Sequence, residues 1–113
     1  MPLLNSLATP YAEALLQVTD LRKESEEVAT QCKALLTAWE SSEPLRDAMT
    51  SPVLEPEAKK KALTSLLSKE VTPSLLNLLK VLADRQRLPA LEPVLLRYLE
   101  LYRASRNIAL AHV

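Results

Sequence analysis

Thr72-Pro73-Ser74-Leu75-Leu76-Asn77-Leu78-Leu79-Lys80-Val81-Leu82-Ala83-Asp84 reads as a helix from its first two residues. A threonine hydroxyl suits the N-cap, and a proline just after it has the φ of a first helical turn and no N–H to leave unpaired. At about 100° per residue, Leu75, Leu76, Leu78, Leu79, Val81, Leu82 and Ala83 sweep an apolar arc of about 220°. Asn77, Lys80 and Asp84 occupy the narrow polar remainder. A surface helix needs only about 100° of apolar face. The excess fits either a central helix covered on both sides by its own chain, or a helix with one flank in the core and the other open to a partner.

Tyr11, Ala12, Ala14, Leu15, Leu16 and Val18 repeat the pattern near the start of the chain, over an arc of about 200°. Glu13, Gln17 and Asp20 lie opposite. Eight prolines and no glycine make proline the main boundary marker. Thr9-Pro10, Glu55-Pro56 and Thr72-Pro73 mark helix starts, Ser42 caps a short helix containing Pro44, and Ser51-Pro52 ends it. Six helices are expected, at about 5–19, 21–41, 43–50, 55–69, 73–85 and 89–105. Leu21, Val28, Cys32, Leu35 and Trp39 form the core stripe of the second. Ala58, Ala62, Leu63, Leu66 and Leu67 form that of the fourth, and Leu91, Leu95, Tyr98 and Tyr102 that of the last. Short links favour an all-α six-helix bundle with antiparallel neighbours.

The 113 residues suffice for one domain. With 25 Leu and 14 Ala, the composition favours helices over strands. The absence of glycine excludes the phosphate loops, dinucleotide turns and nucleophile elbows that depend on it. Lys plus Arg equal Asp plus Glu at 14 each, so no overall field draws nucleic acid or anionic lipid. The charges are segregated, with 10 acids and 4 bases in residues 1–57 and the reverse in 58–113, a pattern that can help the halves dock. The longest apolar run, Ile108 to Ala111, is far below the roughly 20 residues of a membrane span, so no direct membrane insertion is expected. Met1 to Leu7 carries no recognisable targeting pattern.

Side by side, the first and fifth helices would form a groove for an amphipathic helix of another protein, with Tyr11 and Ala14 on one wall and Val81 on the other. Ala8-Thr9-Pro10-Tyr11-Ala12-Glu13-Ala14-Leu15, together with LLNLLKVLADRQRL from Leu75 to Leu88 followed by Leu91 and Tyr98, resembles the N-terminal domain of the delta subunit of F-type ATP synthases. The mitochondrial relative of that family is the oligomycin sensitivity conferral protein. The resemblance spans nearly the whole chain.

It implies a non-catalytic, proton-translocating-complex subunit of the peripheral stalk, the stator that keeps the catalytic head from turning with the rotor. It also implies a groove between the first and fifth helices that holds alpha-subunit N-terminal helices. Tyr11, Ala14, Leu15 and Val18 would line one side and Asn77, Lys80, Val81 and Asp84 the other. Residues 1–106 would be the alpha-binding domain. Residues 107–113 would begin the linker to a C-terminal domain, missing from this chain, that engages the b subunits. The expected location is peripheral, on the soluble-head side of a bacterial plasma membrane or a thylakoid. An unrelated helical adaptor with the same groove logic is the competing reading, and an enzyme comes last.

Other signals have plainer explanations. Lys59-Lys60-Lys61 fan out by about 100° each and read as a solvated face. Glu24, Glu26 and Glu27 suit the first turn of a helix. Cys32 and Trp39 belong to the core, and His112 to the linker. No catalytic set, metal site or cofactor is expected.

Overall fold

The computed structural model describes residues 2–111, with side chains placed over 8–106. Helices α1 (Pro2–Leu21), α2 (Ser25–Ser41), α3 (Glu43–Thr50), α4 (Pro56–Leu67), α5 (Pro73–Asp84) and α6 (Leu91–Ala111) account for nearly all of it, with a 3₁₀ turn at Leu88–Ala90 leading into α6. The six-helix reading holds. Thr72 Oγ1 accepts from the Leu75 N–H at 3.4 Å and Ser42 Oγ from the Leu45 N–H at 3.2 Å, so both act as N-caps. Pro56 and Pro73 each open a helix.

Thr9 and Pro10 do not start α1, which runs through them from Pro2. An interior proline costs a helix a hydrogen bond. Here the continuation seats Ala8, 2% exposed, against Ala90 and Val94. Leu21 is also reassigned: it ends α1 at 85% exposure and does not join the α2 stripe.

The reversal after α1 is a Schellman turn without glycine. Lys23 sits at φ 59°, with its N–H on the Asp20 carbonyl at 3.2 Å and the Glu24 N–H on the Thr19 carbonyl at 2.8 Å. Gln86, at φ 54°, closes α5 in the same way. A left-handed conformation costs a side chain-bearing residue about 1 kcal/mol, so Gln86→Gly is expected to raise unfolding stability by up to about that amount. Urea denaturation followed by circular dichroism checks it.

The core brings Val28, Cys32, Leu35 and Trp39 of α2 against Leu75, Leu79 and Leu82 of α5 and Leu91, Leu95 and Tyr98 of α6. Burial pushes the Cys32 thiol up to about 12, so it stays protonated and behaves as a small apolar side chain. Tyr98 is fully buried. Its hydroxyl donates to the Ser25 carbonyl at 3.1 Å and lies 3.0 Å from Thr19 Oγ1, tying α6 to the α1–α2 junction. Burial, opposed by the Thr19 hydrogen bond, holds this phenol above its ordinary pKa.

The packing order departs from a simple sequence of neighbours. The most extensive interfaces join α1 to α6 and α4 to α5; α2 packs chiefly on α6, and α1 meets α2 only slightly. In α4, Leu63 is buried and Ala62 and Leu67 partly so, but Ala58 and Leu66 are exposed. Lys59, 6% exposed, takes a place in the buried row, so the three lysines are not one solvated face. A lysine can do this because its long methylene stem is apolar. Lys60 Nζ lies 2.8 Å from both Glu57 and Asp84, which pins α4 to α5 and raises the ammonium pKa, through Asp84 first.

The segregated charges contribute little to docking. Arg106–Asp20, at 3.5 Å and half exposed, is the long-range ion pair between the two halves among the described residues, and such pairs add at most about 1 kcal/mol. His112 lies outside the described residues, as does the end of the 107–113 segment.

Candidate functional site

α1 is anchored mainly by α6, and its edge toward α5 is left partly open. Tyr11, Ala14, Leu15 and Val18 on α1 and Arg22 in the turn just after it recur at spacings of one, three or four, and Ser74, Asn77, Leu78 and Val81 do the same on α5. These two rows face each other across an open groove of about 210 Å³. Side chains at such spacings stack on one helix face. Leu15 is buried and forms the floor, with the half-buried Leu78 beside it. Val18 and Val81 stand as opposed walls, 41% and 38% exposed. Ala14 is exposed and too small to fill the space between them.

The helices run antiparallel here, since Tyr11 meets the C-terminal end of α5 and Glu24, just past α1, meets its first turn. Arg85 Nη1 and Arg87 Nη1 donate to Tyr11 Oη at 3.4 and 3.3 Å. At the opposite end Ser74 Oγ donates to Glu24 Oε1 at 3.1 Å, and Arg22 Nε stands 4.0 Å from the same oxygen. The result is an apolar trough with polar ends, a shape that suits the apolar stripe of an amphipathic helix.

Six of the eight residues expected at the site line this groove: Tyr11, Ala14, Leu15, Val18, Asn77 and Val81. Lys80 and Asp84 do not. They stand on the side of α5 that meets α4, Asp84 in its ion pair with Lys60 and Lys80 beside a separate depression lined by Lys60, Lys61 and Thr64. Positions 77, 80, 81 and 84 span an arc of about 100° on α5. Val81 and Asn77 are its edge toward α1, and Asp84 and Lys80 its edge toward α4, where Lys60 engages the Asp84 carboxylate.

Arg22, Ser74 and Leu78 were missed. Leu78 is in the apolar arc, and Ser74 continues the 77–81 row by one turn. Arg22 extends the α1 row by one turn past Val18, a signal hidden once the first helix is ended at residue 19. Trp39 is remote from the groove and lines an enclosed apolar cavity of about 70 Å³ with Leu45, Met49 and Leu63.

A family model described as ATP synthase delta (OSCP) subunit matches residues 7–113. Over all 113 residues the chain is 90% identical to the ATP synthase subunit delta of Synechococcus sp. (strain CC9311), of which it covers 62%. It is 66% identical over the same length to the ATP synthase subunit delta, organellar chromatophore, of Paulinella chromatophora, again covering 62% of that protein. The chain thus spans about three fifths of the length of these curated relatives. Its fold matches a chain in the cryo-EM structure of the Polytomella F-ATP synthase (rotary substate 2C, focussed refinement of F1 head and rotor) with a TM-score of 0.80 at 24% identity, covering 88% of each chain.

Proposed function

Given that the chain belongs to the ATP synthase delta (OSCP) subunit family, we propose that it is the part of a peripheral-stalk subunit that grips the catalytic head by holding an alpha-subunit N-terminal helix between α1 and α5. The observation that carries this reading is the pair of facing rows in the groove, with Val18 and Val81 still open to solvent. The family membership removes the competing reading of an unrelated adaptor. On this proposal the b subunits of the stalk are left to the part of the longer relatives that this chain does not cover. None of the helices described is long and apolar enough to cross a membrane, in keeping with a peripheral position on the head side of an energy-transducing membrane.

The task is mechanical: a stator has to resist torque, and its grip comes from buried anchors. Each Leu or Val side chain fully removed from water contributes roughly 1.5–3 kcal/mol. About four such anchors, less the entropy lost on ordering the guest, are enough for tight binding.

Tyr11→Ala and Val81→Asp are each expected to weaken capture of an alpha-subunit N-terminal peptide by about tenfold or more, because one removes an aromatic wall and the other puts a carboxylate in the trough. Both positions are at least partly exposed, so the fold should survive. Calorimetric titration, with circular dichroism as the folding control, measures both. Unchanged affinity in the two variants would remove the groove as the site.

A further inference from the structure

We infer that the helix held in the groove carries a carboxylate side chain about one turn beyond its anchor against Val81, and that Arg85 and Arg87 receive it as a two-guanidinium clamp. The inference rests on the groove being the partner site and adds the polarity and register of the guest.

Both guanidinium groups converge on one neutral oxygen, Tyr11 Oη, at 3.4 and 3.3 Å. No carboxylate among the described residues forms an ion pair with either arginine; Asp84, the nearest acid in sequence, is engaged by Lys60. Two exposed cations are therefore held side by side at the mouth of an apolar groove without a counter-charge. A phenol oxygen accepts two hydrogen bonds at most, whereas each guanidinium has five donors, so most of the clamp's capacity is unused.

The favourable position of Arg85 at the C-terminus of α5 accounts for one cation. It does not account for Arg87, which lies past the helix end and reaches back to the same oxygen. The other end of the groove differs, because there Arg22 already faces Glu24. The electrostatics are thus asymmetric along the groove axis and select one direction for the guest.

Register follows from helix geometry. Arg85 continues the 74–77–78–81 row four positions beyond Val81, about 6 Å along the axis. A guest residue three or four positions from the Val81 anchor reaches the clamp. An aspartate or glutamate there can take paired N–H···O bonds, the arrangement arginine favours.

The test uses the chain and a synthetic alpha-subunit N-terminal peptide, with each acidic residue of the peptide replaced in turn by glutamine. The R85Q/R87Q variant is expected to bind about tenfold more weakly at low salt and to lose most of the salt dependence shown by the unaltered chain. One glutamine peptide should bind the unaltered chain with the same loss, and should show no further loss against R85Q/R87Q.

Additive losses for every peptide, or unchanged affinity of R85Q/R87Q, would overturn the clamp while Val81→Asp still weakens binding and the groove stands. Unchanged affinity of Val81→Asp as well would remove groove and clamp together.

Discussion

Tyr98→Ala is expected to lower the unfolding free energy by about 4 kcal/mol, near the middle of the range for deleting a buried aromatic side chain. Tyr98 is fully buried, and its ring stacks near-parallel to Tyr102 with centroids 6.5 Å apart. The deletion leaves a cavity in the α6 spine and strips the Ser25 carbonyl of its phenol donor. The loss would be a large share of the roughly 5–15 kcal/mol available to a domain of this size. Thermal unfolding should therefore shift down by about 15 °C or more.

Tyr98→Phe separates the two contributions. It keeps the ring and removes only the hydroxyl, at a cost of about 1–3 kcal/mol for the acceptor left without its donor. Urea unfolding of both variants measures the difference. Equal losses would mean that the polar junction of α1, α2 and α6, and not packing, dominates at this site.

What could be read before any coordinates were known depended on local signals. Thr72 and Pro73 announce α5, Pro56 announces α4, and Ser42 caps α3 because cap chemistry acts over three or four residues. The groove was legible in the same way, since an apolar arc wider than a core-facing stripe is a property of one helix read by itself. Failures came where a distant contact overruled a local preference. Pro10 looks like a helix start until Ala8 is known to be buried beneath α6. Lys23 and Gln86 carry no mark of the left-handed backbone they adopt, because the residue that normally signals it, glycine, is absent from the chain.

Lys59 looks like its two neighbours in sequence and differs only in facing the core. Lys80 and Asp84 were grouped with Asn77 and Val81 by resemblance. The position of α4, which claims Asp84 through Lys60, was invisible from α5 alone.

Ala14→Trp is expected to reduce affinity for an alpha-subunit N-terminal peptide by on the order of 100-fold, a loss of about 2.7 kcal/mol. Ala14 is exposed between Tyr11 and Val18, and its methyl leaves the trough empty. An indole there can lie over Leu15 toward Val81, taking the place that the guest's apolar anchors need. The substitution costs the helix only a few tenths of a kcal/mol in propensity and removes no core contact. Stability is accordingly expected to change little while binding collapses, the reverse of the pattern at Tyr98.

The most direct measurement is amide chemical-shift mapping of the isotopically labelled chain titrated with that peptide, run in parallel on the unaltered protein and on Ala14→Trp. Shifts are expected along the facing rows, at Tyr11, Ala14, Val18, Asn77 and Val81, and should be absent from the variant at the same peptide concentration. Shifts concentrated on α2 and α4, or a full response that persists in Ala14→Trp, would contradict a guest helix lying between α1 and α5.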